Sequence, residues 1–219
     1  MEGFKRNKFY LSKLIHEYQP LFIFLQEHWL PHHEAIDQIV NGFNGFNFLS
    51  TSSDMFIPAE DKMLDSGPTW HGTAIGWNQN IEKNISKLPV ISERFCGVKY
   101  SDSQTRILAY TAYLPTSGKD DEYLEVLSQL SFDLKSNMDE NIAILIGLDS
   151  NQSNKSSKRR TKAMNHFCDQ FSLKSILLNE EPTFHHNNES SVSQIDHILY
   201  YIPEKVSIKV ELHQHLCKL

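Results

Sequence analysis

Twice along this chain a helical stripe of apolar residues is followed at once by a short, solid apolar run that stops at a carboxylate. Leu11, Leu14, Ile15 and Tyr18 recur at helical spacing behind Asn7, which stands where an N-cap would, and Pro20 closes the segment. The run from Leu21 to Gln26 then delivers Glu27. Leu124, Leu127, Leu130 and Leu134 repeat the stripe, and the run Ile142 to Leu148 leads into Asp149. These runs are too short for a helix, and the second is rich in β-branched side chains, so both predict buried strands.

Between the two units the pattern changes. Thr73 to Trp77, Phe95 to Tyr100 and Arg106 to Tyr113 read as strands, with Ser101-Asp102-Ser103-Gln104 as a hairpin turn. A helix around Ala163 to Phe171 follows, then strands Gln194 to Tyr201 and Val206 to Leu212, split by a turn at Pro203. No strict βαβ repeat is present. The mixture predicts an α/β (α+β) class in which sheets pack together with helices outside. With 219 residues, 40% of them apolar, the chain can bury one core, and residues 1–219 read as one domain.

A net charge of -6 gives no global field that would attract a polyanion. Any grip on one must be local, and Lys155, Lys158, Arg159, Arg160 and Lys162 crowd a Ser/Asn-rich stretch that reads as a flexible loop leading into a helix. A solvated loop explains the same cluster. Cys96, Cys168 and Cys217 are odd in number and lack C-x-x-C spacing, which argues against a disulfide framework or a cysteine zinc site. No apolar run approaches a membrane span, and the start lacks a signal-peptide core. An unsecreted, intracellular protein is expected, and the Asn-x-Ser sequons at Asn84, Asn151, Asn154 and Asn188 carry no weight.

Chemistry can sit at the strand ends, because a rigid strand holds its last polar group accurately at a cleft mouth. Four ends qualify: Glu27, Tyr113, Asp149-Ser150-Asn151 and Asp196-His197. Each alone is bland, since a single carboxylate at a strand end is usually a surface or capping group.

Taken in order, Phe24-Leu25-Gln26-Glu27, Gly72-Thr73-Ala74-Ile75, Ala112-Tyr113-Leu114-Pro115, Gly147-Leu148-Asp149-Ser150-Asn151 and Ser193-Gln194-Ile195-Asp196-His197-Ile198 resemble the motifs of the endonuclease/exonuclease/phosphatase superfamily. They are most similar to the endonuclease domains of non-LTR retrotransposons, and Thr183-Phe184 stands where that family often has such a pair. The resemblance covers nearly the whole chain. It implies a four-layer α/β/β/α sandwich of the deoxyribonuclease-I-like type and phosphodiester hydrolysis dependent on Mg²⁺ or Mn²⁺. It also implies nucleic acid, DNA first, as partner, a retrotransposition setting and hence the nucleus.

By the same resemblance Glu27 holds the metal, a hard cation that prefers oxygen ligands and keeps several waters. Asp149 orients or deprotonates the attacking water. Asn151 donates its amide to a phosphate oxygen while its carbonyl fixes the surroundings of Asp149, and Tyr113 donates its hydroxyl to the phosphate. Asp196 matches the carboxylate that orients a histidine near the end of the domain. Lys158, Arg159 and Arg160 are the candidate substrate-binding residues.

Relatives open with a strand ending in Asn and close with a Ser-Asp-His or comparable motif. This sequence starts at Met1-Glu2-Gly3 and stops at His215-Leu216-Cys217-Lys218-Leu219, so the first and last strands are expected to be missing. His197 points away from Asp196 on the same strand, and His213 and His215 come too soon after it for the family's spacing. Two rival readings stand: a phosphomonoesterase or phospholipid-head-group phosphodiesterase of the same superfamily, and an inactive remnant that binds nucleic acid or protein. His33-Glu34-Ala35-Ile36-Asp37 begins like a zinc-protease motif but has Asp37 in place of the second histidine, and reads as a helix N-terminus. His213-x-His215-x-Cys217 reads as a frayed tail and His71 as a solvated loop residue.

Overall fold

The computed structural model describes residues 4–30, 39, 43, 45–56, 72–116, 118–152, 157–176, 184–185, 192–193 and 196–204. In chain order these form α1 (Phe4–Tyr18), β1 (Phe22–Gln26), β2 (Phe46–Thr51), β3 (Thr73–Asn78), β4 (Ile85–Lys87), β5 (Phe95–Ser101) and β6 (Arg106–Tyr113). Then come α2 (Asp120–Asn137), β7 (Ala143–Asp149), α3 (Lys158–Gln170), β8 (Lys174–Ile176), β9 (Phe184–His185), β10 (Val192–Ser193) and β11 (Asp196–Tyr201).

Two sheets result. β1, β3 and β2 make an antiparallel three-stranded sheet in that order, and β4-β5-β6-β7-β11-β8 make a six-stranded one. The larger sheet is antiparallel except for β6 and β7, which run parallel. A parallel neighbour needs a long crossover, and α2 supplies it. β9 and β10 form a separate two-residue pairing.

The strand period of two sorts side chains into layers. Ile75, Trp77, Cys96, Val98, Ile107, Ala109 and Ala143 fill the space between the sheets, with Phe22, Phe24 and Leu49. The alternate residues face outward. Ile23, Leu25, Phe46, Phe48 and Ala74 take Ile15 of α1 on one side. Leu108, Tyr110, Ala112, Ile144, Ile146 and Leu148 take α2 and α3 on the other. The order is therefore helix, sheet, sheet, helix. On α2, Leu127, Leu130 and Leu134 are buried as their spacing predicts, and each fully buried leucine stabilises by about 1.5–3 kcal/mol. Gly147 lets the sheets come together: a Cβ there would lie 2.4 Å from the Cβ of Phe24.

Both helix-then-strand units are present, with two corrections. Asn7 lies inside α1, which already begins at Phe4, so it is not the N-cap. The basic stretch is not loop from Lys158 onward: Ser157 caps α3 by accepting the Arg160 N–H at 3.3 Å, and Lys158, Arg159, Arg160 and Lys162 are helical. Ordinary polar caps of this kind start a helix earlier than its apolar stripe suggests. The strand expected at Val206 to Leu212, the segment His33 to Asp37, and His71, Lys155, Thr183, His213, His215 and Cys217 lie outside the described residues.

Candidate active site

Three of the singled-out side chains stand on one rung of the large sheet. Tyr113 ends β6, Asp149 ends β7 and Asp196 begins β11; the register pairs Tyr113 with Asp149 and Asp149 with Asp196. Paired residues on adjacent strands project to the same face. That face is the inner one, because Ala109 and Ala143, an even number of residues back along the same strands, belong to the layer between the sheets. Glu27 arrives from the opposite sheet, directly after β1.

The two sheets are sewn together just behind this rung. Gln26 Nε2 donates to Thr111 Oγ1 at 3.1 Å and to the Gly147 carbonyl at 3.1 Å. The Thr111 hydroxyl donates to the Leu25 carbonyl at 3.2 Å. Buried polar groups that satisfy one another across a gap fix it closely. One residue later on β1, and two residues later on β6 and β7, the chain presents Glu27, Tyr113 and Asp149.

The loop from Glu27 is held by a buried imidazole. His28 Nε2–H donates to the Thr51 carbonyl at 2.9 Å, and Nδ1 accepts the Leu30 N–H at 3.1 Å, a pattern that needs the neutral ring. Burial lowers its pKa to about 4, against the opposing pull of backbone carbonyls. A Cβ on Gly72, whose φ is +86°, would come within 2.4 Å of the ring, so the glycine of the second motif makes room for His28. Glu27, Trp29 and Asn151 all have left-handed φ values, of 55°, 54° and 45°. Left-handed backbone at residues other than glycine is costly and clusters at functional sites.

Charge is unbalanced here. Asp149 is buried, and burial first, then the negative charges of Asp196 and Glu27, hold its carboxyl well above the usual carboxylate range. Its Oδ1 accepts the backbone N–H of Asn151 at 3.0 Å, which works the other way. The Tyr113 hydroxyl is pushed up by burial and by Glu27, with which it shares a hydrogen bond, and by Asp149. It is thus a proton donor throughout the neutral range. Against these acids stands Arg94, also buried, whose guanidinium carbon lies 5.2 Å from the centre of the Tyr113 ring.

Glu27, Tyr113, Asp149 and Asp196 are therefore brought together as the motifs imply. Asn151 is beside them, in an arrangement that differs from the expected one. Its side-chain Nδ2 donates to the Leu114 carbonyl at 2.8 Å, and its backbone N–H rather than its amide oxygen meets Asp149. One amide hydrogen remains. Of the three candidate substrate-binding residues, Arg160 has no such role: it is 1% exposed, with Nε on Asp120 at 2.6 Å and its other nitrogens on the Pro115 and Thr116 carbonyls at 3.0 and 2.6 Å. Its plane also covers the Tyr123 ring at 4.5 Å. A guanidinium this deeply buried, with all three nitrogens engaged inside the protein, is out of a ligand's reach. Arg159 is exposed and paired with Asp121 at 2.7 Å. Lys158 remains at the surface, where it and Lys162, Thr161, Asn165, His166 and Asp169 line a shallow groove of about 510 Å³ along α3.

Sequence reasoning missed Arg94, His28 and the Gln26–Thr111 clasp. Gln26 stood in a quoted motif without a role. Nothing in the sequence marks Arg94 or His28: Tyr113 and Glu122, which Arg94 meets, and Thr51, which His28 meets, lie far along the chain.

Among the described residues, no three Asp, Glu, His or Cys side chains form a group that could by itself hold a metal ion. A Mg²⁺ site does not require one, since one or two carboxylates with waters and a substrate phosphate suffice. The donors here are oxygens, and the surplus negative charge that raises Asp149 is what a divalent cation would offset. The residues fit an open site with Glu27 as its ligand.

No family model matches the sequence, and neither does any curated protein. Solved structures do match the fold. The endonuclease domain of TRAS1, a telomere-specific non-LTR retrotransposon, superposes with a TM-score of 0.59 at 15% identity, covering 89% of this chain and 77% of that one. The AP endonuclease LMAP from Leishmania major gives 0.65 at 13% identity, with 91% and 76% covered. The mannosyl-6-phosphatase Bt3783 from Bacteroides thetaiotaomicron gives 0.59 at 13% identity, with 91% and 78% covered. With two sheets face to face, helices on both outsides and acidic strand ends on one edge, this chain has the fold of the endonuclease/exonuclease/phosphatase superfamily.

Proposed function

We propose that the chain is a metal-dependent phosphodiesterase that cuts DNA, of the retrotransposon endonuclease type. The observation that carries this reading is the single rung on which Tyr113, Asp149 and Asp196 meet, with Glu27 facing them from the other sheet. Mg²⁺ or Mn²⁺ bound at Glu27 would act as a Lewis acid on a phosphoryl oxygen and on the leaving oxygen.

The side chains supply the rest. Asp149 Oδ1 is occupied by the Asn151 N–H, which leaves Oδ2 to take a proton from water attacking phosphorus. As the water oxygen bonds to phosphorus, the ester P–O bond breaks and the departing oxygen takes up a proton from solvent. Tyr113 stays protonated at neutral pH, and once Glu27 is taken up by the metal its single O–H would turn from that carboxylate to a non-bridging oxygen as charge builds there. The remaining amide hydrogen of Asn151 is placed to do the same. Asp196 acts on Asp149 by its charge, holding the carboxyl up so that it is a better proton acceptor.

DNA is favoured by Lys158 and Lys162, which line the groove on the helix that follows Asn151 and make no ion pair among the described residues. The test is nicking of supercoiled plasmid with Mg²⁺, Mn²⁺ or EDTA, beside Asp149→Ala. Metal-dependent nicking lost by a factor on the order of 10³ or more in the variant is expected. A folded wild-type chain that leaves the plasmid intact but hydrolyses a phosphomonoester would move the substrate to that class, and inertness on both would end the enzymatic reading.

A further inference from the structure

Arg94 is 4% exposed and has no part in the chemistry above. A buried guanidinium needs partners. Glu122, in the first turn of α2, pairs with its Nη2, and the neighbouring Glu93 lies 3.6 Å from its Nε. The face of the Tyr113 ring lies 5.2 Å from the guanidinium carbon. The backbone repeats the pairing: the Tyr113 N–H donates to the Arg94 carbonyl at 2.8 Å, and Ser92 Oγ accepts the Arg94 N–H at 3.2 Å. Phe95 and Ala112, the next residues along, are the first pair of the β5–β6 ladder.

We infer that Arg94 is a positioning residue, which by holding its guanidinium over the Tyr113 ring fixes where that hydroxyl meets the phosphate in the transition state. The inference rests on the phosphodiesterase reading and adds a residue to it. A tyrosine ring is free to turn about two side-chain bonds, and its hydroxyl swings furthest. Here one face of the ring carries a flat cation that is itself tied to α2 by a carboxylate, so the ring inherits the rigidity of the helix. The charge of Arg94 also opposes that of Glu27 and Asp149 at the phenol. Lysine would keep the charge but not the flat face. Glu122 is 37% exposed, so water can hydrate it if the cation is lost.

A plain structural strut predicts a different pattern from a positioning residue, and a double-mutant cycle separates them. Wild type, Arg94→Met, Tyr113→Phe and the double variant are compared for metal-dependent plasmid nicking, with kcat and KM determined separately. Displacing a catalytic group by about an ångström can cost on the order of 100-fold. Arg94→Met is therefore expected to lower kcat by about ten- to a hundred-fold with KM little changed. In the Tyr113→Phe background, where no hydroxyl remains to be placed, it should cost less than about twofold. Arg94→Lys should recover part of the loss. If Arg94→Met does not fold, Glu122→Gln replaces it in the cycle, with a smaller loss that again vanishes in Tyr113→Phe. Equal losses in both backgrounds would overturn the inference while leaving the phosphodiesterase reading intact. A wild-type chain without metal-dependent nicking would overturn both.

Discussion

Two buried charge clusters flank the same short stretch of chain, and they are built on opposite rules. On one side of Leu114 stands the rung of Tyr113, Asp149 and Asp196, where acids crowd together and Asp149 is held far from its natural ionisation. On the other stands Arg160, whose Nε, Nη1 and Nη2 meet Asp120, Pro115 O and Thr116 O. The second cluster sets a cation among acceptors, and the first sets like charges side by side. Polar networks of matched partners specify a single geometry, whereas like charges crowded in a cleft are kept against stability when they serve chemistry. Leu114 joins them, because its carbonyl accepts the Asn151 amide and the next two carbonyls hold Arg160. The knot therefore anchors one wall of the site.

Breaking the knot should have the largest effect on the fold. Arg160→Met leaves two carbonyls without donors, uncovers the Tyr123 ring and removes one of the partners of Asp120, which keeps the Ser157 hydroxyl. Asp120 is partly exposed and returns to water, so the loss comes from the buried Pro115 carbonyl left without its donor, about 1–3 kcal/mol, and from the uncovered ring. A melting temperature lowered by roughly 2–12 °C is expected for a domain of this size. A change of under a degree would mean that the loop 114–116 is held by other contacts.

The acidic rung should respond with the opposite sign. Asp149→Asn removes the charge, keeps the shape and retains an acceptor for the Asn151 N–H. Asp149 has a raised folded-state pKa, so between its unfolded value and that raised value the folded state binds more protons, and stability is lost as pH rises through this window. The variant should therefore melt higher than wild type at neutral pH in EDTA, by on the order of 1–2 kcal/mol, and the gain should vanish towards pH 3, where both are uncharged. A variant less stable at every pH would show that Asp149 is a structural acid and would dissolve the contrast between the clusters.

The strands and α2 were legible because burial leaves its mark within one segment: Ile142 to Leu148 and the leucines of α2 show their period without reference to anything else. The strand ends were legible too, since a polar residue closing an apolar run marks an edge. What brings those ends together was not. The register that sets Asp196 beside Asp149, and the clasp from Gln26 to Thr111, join residues 47 and 85 positions apart. His28 and Arg94 take their meaning from carbonyls and a ring on other strands. The basic run misled for the same reason: composition shows five cations, and only packing shows that Arg160 is inside and Arg159 outside.

That neighbouring pair gives the finest test of the comparison. Arg159 is exposed, and its partner Asp121 is more so, so the ion pair is screened by water and should contribute little. Arg159→Ala should shift stability by no more than ~0.5 kcal/mol, a small fraction of the effect one residue further on. Its charge is already answered by Asp121, while Lys158 makes no ion pair among the described residues. If DNA lies along α3, each lysine that meets a phosphate contributes about one unit to the slope of log affinity against log salt. Lys158→Ala should lower that slope by close to one and Arg159→Ala by less, read from duplex binding across a salt series with EDTA to prevent cutting. Equal slopes for the two variants and wild type would remove this helix from the DNA path and leave the cation groove without a ligand.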